Sequence, residues 1–314
     1  MEKAHEAYWR NKLIETRFMD IGFCLPYMKN GLNRELVQEW CMRTDQGPFS
    51  TLSCGERITG PQEVMDMRVT LAFAAAITER VKIMPSLYVL PMHSAAMVAQ
   101  EVATLDRLSN GRVQVCVGVG GREKDYQTVG ASFKYRHQTM DDQVALMKSI
   151  WQGNPVVEGA DPVGMRPYQD GGPAMLAGVM GPKAMARAAQ WADGIYAWSM
   201  SGNADEIQRI YAMADAEWEK AGRTTAPRKV AGFWYSRSTD NPEYALKAYI
   251  KEYVKGSAGE EIAGLVAENA LMYTDKAIAQ GISEMKALGS DELLLVPCTA
   301  DINELNAIEN ILAQ

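Results

Sequence analysis

The sequence predicts an α/β fold: a closed (β/α)8 TIM barrel in which each of eight parallel strands is followed by a helix. Two observations support this prediction. Short apolar runs rich in β-branched residues alternate with longer stretches of helical spacing, a pattern typical of a parallel sheet covered by helices. The chain has 314 residues, which suits eight such units. A doubly wound open sheet is the alternative that this pattern leaves open.

Four predicted strand–helix pairs make up the first half of the chain. Pro61 suits the first turn of the second helix, and Ser94 suits the N-cap of the third. The turn at Gly120–Gly121 is not expected to open a helix in the G-x-G-x-x-G form, so it is not a dinucleotide-binding fingerprint. The pairs are 18–25 with 33–46, 49–54 with 61–78, 80–90 with 94–108, and 112–119 with 136–153.

Four further pairs complete the predicted barrel. Additional helical stretches lengthen the region 242–288, and the Gly- and Pro-rich segment 154–172 is predicted to be a long loop, either a lid or a surface excursion. Because no linker divides the chain, we expect one domain over residues 1–314. The pairs are 173–179 with 181–192, 193–199 with 203–222, 228–236 with 242–256, and 291–298 with 301–314.

Composition and charge narrow the class of protein. Hydrophobic residues make up 47% and charged residues 23%, as in soluble globular proteins. A net charge of −7 argues against nucleic acid and anionic membranes, which attract basic patches. The N-terminal residues 1–17 are too polar for a signal peptide, and no apolar stretch approaches the ~20 residues that cross a bilayer. The five scattered cysteines indicate reduced thiols in a cytoplasmic protein.

The predicted carboxyl ends of the strands, where such barrels place their active sites, carry glycine, apolar and aromatic residues. The histidines His5, His93 and His137 are scattered, so no metal site is expected, and no nucleophile motif occurs. Such a rim suits a flat redox cofactor that supplies the difficult chemistry itself. Gly178 ends a strand and Gly181 precedes Pro182 at a helix start, which predicts either an anion site made of backbone N–H groups or only a tight turn.

Two segments, 77–153 and 173–198, closely resemble the bacterial luciferase-like monooxygenases, which are flavin- or deazaflavin-dependent oxidoreductases on a (β/α)8 barrel. The motifs ATLDRLSNGR, GVG and ADG occur in the order and spacing of that family. The resemblance implies a bulge in the third strand, often with a non-prolyl cis peptide beneath the isoalloxazine ring, here at Ser86–Leu87. It also implies a cofactor wall at the end of the fourth strand and a phosphate site at the start of the fifth helix.

The cofactor-binding residues that follow are Ser86, Leu87, Gly118, Gly120, Gly121, Gly178, Val179, Met180 and Gly181. Glu123, beside the wall, either orients the cofactor or favours a helix start. Many relatives carry a histidine after the second strand, whereas this chain reads Cys54-Gly55-Glu56-Arg57. Glu56 is therefore predicted to be a general acid or base, or half of an ion pair with Arg57. His137 either contacts cofactor or substrate or is a surface residue at a helix start.

The resemblance implies an oxidoreductase in which FMN, reduced by a separate flavin reductase, uses oxygen to oxygenate a small hydrophobic substrate. A reductase is needed because the chain has no nicotinamide fingerprint, and its 19 methionines suit an apolar pocket. Hydride transfer with the deazaflavin coenzyme F-420 is the alternative. A non-catalytic flavin-binding barrel is a second alternative, motivated by the missing histidine. Relatives commonly form homodimers, and the helix within 69–77 is the expected interface.

Overall fold

Eight parallel strands close into a barrel in the order β1 to β8, and β8 pairs back with β1. The computed structural model describes residues 18–314; residues 1–17, including His5 and the N-terminal stretch judged too polar for a signal peptide, lie outside the described residues. The predicted (β/α)8 barrel is confirmed, and the open sheet is excluded. The strands are β1 Asp20–Cys24, β2 Thr51–Cys54, β3 Lys82–Val89, β4 Val115–Gly118, β5 Met175–Gly178, β6 Gly194–Trp198, β7 Arg228–Tyr235 and β8 Glu292–Pro297.

Helices follow the strands along the chain and cover the outside of the barrel. The helix after β2 begins at Met67, not near Pro61 as predicted, because the Asp66 carboxylate accepts hydrogen bonds from the first free N–H groups of this helix. The helices are α1 Arg34–Gln46, α2 Met67–Ile77, α3 Ala95–Leu108, α4 Glu123–Val129, α5 Arg136–Trp151, α6 Pro182–Trp191, α7 Ala204–Lys220, α8 Pro242–Ala258, α9 Glu260–Glu268, α10 Asp275–Ala287 and α11 Asn303–Leu312.

A short helix, α4, opens directly after the glycine-rich turn that follows β4. The predicted strand–helix pairs do not include this helix, and it does not follow the turn in the G-x-G-x-x-G form. Gly130, at φ +74°, ends α4 after seven residues, which is too short for a helical period to show in the sequence. The helix is held by Asp125, whose carboxylate accepts hydrogen bonds from the backbone and side chain of Thr59 after β2.

The segment 154–172 is irregular and lies at the end of the barrel opposite the carboxyl ends of the strands. It connects α5 to β5, so it approaches the amino end of a strand. The Gln169 N–H and side chain donate to Asp106 at the end of α3, and the Gln169 side chain also donates to the Val113 carbonyl ahead of β4. The surface excursion is therefore the correct alternative, and the lid is wrong.

The interior of the barrel is filled by side chains, so any cavity must lie above that layer. Six consecutive strands each contribute one buried residue to a single cluster, as in the packed barrels of this architecture. Among residues 18–314 no helix is long and apolar enough to cross a membrane. The six residues are Met84, Cys116, Leu176, Tyr196, Val230 and Leu294.

Candidate active site at the carboxyl ends of the strands

A cavity of about 510 Å³ opens at the carboxyl ends of the strands, in the position where this architecture places active sites. Both predicted acid–base candidates, Glu56 and His137, line it. Gly118, Gly181 and Glu123 do not line it; Glu123 is an exposed first residue of α4, which favours its helix-start alternative. The predicted cofactor residues on the cavity wall are Ser86, Leu87, Gly120, Gly121, Gly178, Val179 and Met180.

The third strand has the predicted irregularity. Its register against β4 shifts between Ser86 and Tyr88, and the peptide bond between Ser86 and Leu87 is cis. The Leu87 side chain occupies space that two glycines leave free: a Cβ at Gly178 would stand 2.6 Å from Leu87 Cδ2, and one at Gly118 3.0 Å from it. Gly118 does not line the cavity, but its lack of a side chain leaves the space in which Leu87 packs against the strand ends.

The start of α6 forms a cradle of backbone donors beside this wall. The helix begins at Pro182 with Gly181 as its N-cap, and no described side chain caps it. The N–H groups of its first turn thus lack helical partners, and the helix dipole makes this end positive. A Cβ built on Gly181 would meet no described atom within 4 Å, so the cradle is open. This geometry suits an anion such as a phosphate.

A network of side chains joined by a hydrogen bond and an ion pair borders the cradle. Arg187, in the second turn of α6, donates through Nη2 to His137 Nδ1 at 3.0 Å, and its Nε lies 3.2 Å from Asp141 Oδ2. Because a guanidinium has only donors, His137 Nδ1 is an acceptor and the imidazole is neutral with its proton on Nε2. Burial, together with the charges of Arg136 and Arg187, lowers the pKa of His137. His137 is thus a neutral hydrogen-bond donor on the cavity wall, not a surface residue.

Glu56 lies on the opposite side, after β2, and is paired with a histidine. Its Oε1 is 2.7 Å from His93 Nε2, and its Oε2 accepts a hydrogen bond of 2.7 Å from the Val89 N–H. The predicted ion pair with Arg57 is wrong, since both carboxylate oxygens are engaged elsewhere. His93 comes from the loop after β3, so the histidine missing after β2 is supplied to this carboxylate from the neighbouring strand end.

An aromatic wall closes the cavity on the side of β6, β7 and α8, and sequence reasoning missed most of it. Trp198 and Trp234 contact each other edge to face with centroids 4.6 Å apart, and Trp234 meets Tyr253 at 5.1 Å. Tyr249 and Tyr253 also line the cavity, one turn apart on α8. That four-residue spacing in the extra helical region was the signal available in the sequence.

Metal and thiol chemistry find no support in the part of the chain that the structure describes. No group of three or more His, Cys, Asp and Glu residues there could hold a metal ion. All five cysteines are free and buried. Cys24 lines the cavity, but burial raises the pKa of its thiol to about 11, which keeps it protonated and unreactive.

The fold and the cavity define the class of protein as a (β/α)8 barrel whose candidate active site lies at the carboxyl ends of its strands. Within this class, the model of the luciferase-like monooxygenase family matches residues 29–294. The chain belongs to this family of oxidoreductases.

Individual relatives are distant. An uncharacterized protein of Mycobacterium tuberculosis is 26% identical over 174 residues, which are 53% of this chain and 61% of that protein. The 2,5-diketocamphane 1,2-monooxygenase 1 of Pseudomonas putida is 23% identical over 146 residues, covering 43% of this chain and 39% of that enzyme. This chain thus spans less than two thirds of the length of these curated relatives.

Solved structures share the fold over nearly the whole chain. Monooxygenase RslO1 from Streptomyces bottropensis has a TM-score of 0.75 at 18% identity, covering 94% of this chain and 98% of that one. An F420-dependent secondary alcohol dehydrogenase in complex with an F420-acetone adduct has a TM-score of 0.76 at 18% identity, covering 93% and 98%. At these identities the likeness establishes the fold alone.

Proposed function

We propose that this protein is a monooxygenase that uses reduced FMN and oxygen to oxygenate a small hydrophobic organic molecule. The observation that carries the proposal is one cavity that joins a glycine wall, an anion cradle and an aromatic wall. A ring system with a phosphate tail and an apolar substrate need these three surfaces side by side. A separate reductase would supply the reduced flavin, because the chain offers no nicotinamide-binding motif.

The residues present fit FMN. The open cradle at Val179–Gly181 provides backbone donors for a phosphate. The wall at Gly120 and Gly121 has no side chains, and Gly120 has φ +59°, which favours glycine over other residues. A flat ring can approach such backbone closely. When bound and reduced, FMN supplies the oxygen chemistry.

The protein's own groups exclude water and hold protons. The aromatic wall makes the substrate side apolar, so that water is displaced when a hydrophobic molecule binds. Glu56 lines the cavity, and its Oε1 lies 2.7 Å from His93 Nε2, close enough for a proton to pass between them. We propose this pair as the acid–base group. His137 is proposed to donate from Nε2 to the bound cofactor and is not required to change its charge.

Deazaflavin-dependent hydride transfer is the second candidate. The open cradle at the start of α6 accepts any phosphate-bearing tail, and the fold is shared with proteins named as F420-dependent. The non-catalytic barrel is the less favoured alternative, since the missing histidine that motivated it is replaced by the contact of His93 with Glu56.

Binding spectra separate these candidates. The protein is dialysed against FMN and against coenzyme F-420 in parallel, and bound cofactor is measured by absorbance and fluorescence. We expect FMN to bind and, with a flavin reductase, NADH and oxygen, to support oxygenation of at least one member of a broad panel of small hydrophobic organic molecules. Binding of F-420 alone would replace the proposal by hydride transfer. Stoichiometric FMN binding without turnover over a broad substrate panel would favour the non-catalytic barrel.

We also propose a homodimer that pairs through α2 and α3. Apolar side chains stand exposed along this face: Val69 is 71% exposed, Leu108 69% and Met97 55%. A second cavity of about 540 Å³ runs between the two helices. Exposed apolar patches of this kind mark contact surfaces. Light scattering at micromolar concentration should give a dimer mass, which Val69→Asp should reduce to a monomer mass; a monomeric wild type would contradict the proposal.

A further inference from the structure

Arg57 is a buried cation of the cavity wall, and the described part of the chain gives it no anionic partner. It is 7% exposed and lines the cavity directly after β2. Within residues 18–314, no carboxylate oxygen lies within 4.0 Å of its guanidinium, and no acceptor receives a hydrogen bond from it. A buried charge is costly unless it is paired and hydrogen-bonded. The donors of Arg57 are therefore available to an anion bound in the cavity.

The other cationic side chains of the cavity are already engaged. Arg122 lies 3.5 Å from Asp125 and also donates to the Thr59 carbonyl, and Arg187 is bound to His137 and Asp141. Glu56, which precedes Arg57 in the chain, is held by His93 and the Val89 N–H. Among the residues that the structure describes, aspartates thus pair with two of the cavity arginines but not with the third.

The residues around Arg57 indicate the chemistry of the ligand that would bind it. Its guanidinium lies over the Tyr253 ring, 4.4 Å from the centroid, so one face of the fork is fixed and the N–H edges remain free. Tyr249 and Trp234 extend the aromatic surface beside it. The charge of Arg57 also contributes, after burial, to lowering the pKa of Arg122, so a negative charge bound between them would relieve repulsion. An apolar body with a planar anionic end matches this surface.

We propose that the substrate carries a carboxylate and that Arg57 binds it, with the apolar part of the substrate against Trp234, Tyr249 and Tyr253. This inference rests on the proposed function, which places the cofactor phosphate at the α6 cradle and leaves the aromatic side for the substrate. The planar fork of a guanidinium matches a carboxylate in two parallel hydrogen bonds. Arg57 thus determines specificity for amphipathic acids over neutral molecules of the same shape.

The test compares acids with amides of the same skeleton. Binding of octanoate, octanamide, phenylacetate and phenylacetamide is measured by calorimetry with the cofactor-free protein, for wild type, Arg57→Gln, Arg57→Lys and Arg209→Gln. Arg209 is an exposed residue of α7 and does not line the cavity. Arg209→Gln is therefore the control, because it removes the same positive charge away from the cavity. We expect the wild type and Arg209→Gln to prefer each acid by about tenfold to a hundredfold. Arg57→Gln should remove this preference and Arg57→Lys should keep part of it.

Four results would overturn the proposal. Equal wild-type binding of acid and amide, or no binding of either acid at millimolar concentration, contradicts it without recourse to any variant. An equal loss of acid and amide in Arg57→Gln assigns the residue a structural role. A loss of FMN but not riboflavin affinity in Arg57→Gln assigns it to the cofactor phosphate. If the acids bind as expected but neither FMN nor F-420 does, the proposed function fails and the anion site stands.

Discussion

The two ends of the cavity use arginine in opposite ways. At the α6 end, Arg187 is tied to His137 and Asp141 beside open backbone donors. At the aromatic end, Arg57 rests on Tyr253 with no acceptor among the residues that the structure describes. An arginine that is already paired within the protein is a fixed part of the cavity wall. An arginine without such a pair is available to a ligand that exchanges with solvent. If the proposals above hold, the α6 end binds the phosphate of the resident cofactor and the aromatic end binds the anionic group of a substrate that exchanges.

The largest expected effect concerns the cradle. Gly181→Asp should weaken FMN binding by two or three decades and leave riboflavin unchanged, because like charges ~4 Å apart near a surface repel by roughly 4 kcal/mol before screening. The backbone tolerates the side chain, since Gly181 has φ −117° and a Cβ there would meet no described atom within 4 Å. Fluorescence titration with both ligands measures this.

Gly181→Ala is the matched control and should bind FMN like the wild type. If Gly181→Asp weakens FMN and riboflavin equally, the phosphate does not lie at the α6 end, and Gly120–Arg122 is the next place to test.

The second expected effect contrasts the two arginines. Arg187→Gln should lower the free energy of unfolding by about 1 kcal/mol, because it leaves Asp141 and His137 without their donor in a partly exposed setting. Arg57→Gln should leave stability unchanged or raise it, because it removes a buried charge that has no anionic partner among residues 18–314. Urea unfolding of the three proteins without cofactor makes the comparison. A larger loss of unfolding free energy in Arg57→Gln than in Arg187→Gln would contradict the contrast between the two arginines.

The third effect is a pH dependence confined to the α6 end. The folded pKa of His137 lies below its ordinary value of 6.5, so in acid the unfolded chain binds more protons than the folded one. Stability contributed here is complete above pH 6.5 and decreases as the pH falls toward the folded pKa. The unfolding midpoint of the wild type should therefore fall more steeply below pH 6.5 than that of His137→Gln. Parallel slopes in thermal scans would contradict this assignment.

The smallest expected effect is that of Lys183→Ala. Lys183 is exposed in the first turn of α6, beyond the backbone donors. Its charge near the bound phosphate is screened by solvent, so FMN affinity should fall by about twofold to fivefold. The same titration at low and high salt checks this, since a screened contribution shrinks with salt. A loss as large as that of Gly181→Asp would mean that a side chain, not the backbone, holds the phosphate.

The barrel and the positions of the glycine turns could be predicted from local patterns in the chain. Strand and helix periods are local patterns, and parallel strands place all their carboxyl ends on one rim, so Gly120 and Gly178 could be assigned to that rim from order alone. Ser86 was assigned through the resemblance to the luciferase-like monooxygenases. The helix start at Pro182 was equally local. The short α4 escaped because its seven residues carry too few periods to detect.

The contacts between side chains of the rim could not be predicted from the sequence. His93 reaches Glu56 from the neighbouring strand end, and Tyr253 passes beneath Arg57 from a helix that follows β7. No periodicity or residue spacing in the sequence indicates either contact, because each one forms only when the closed barrel brings distant loops together. For the same reason the sequence could propose Arg57 as a partner for Glu56 but could not show that Glu56 is engaged elsewhere. Pairing across the rim is a property of the closed barrel, whereas the elements of the rim are properties of the chain.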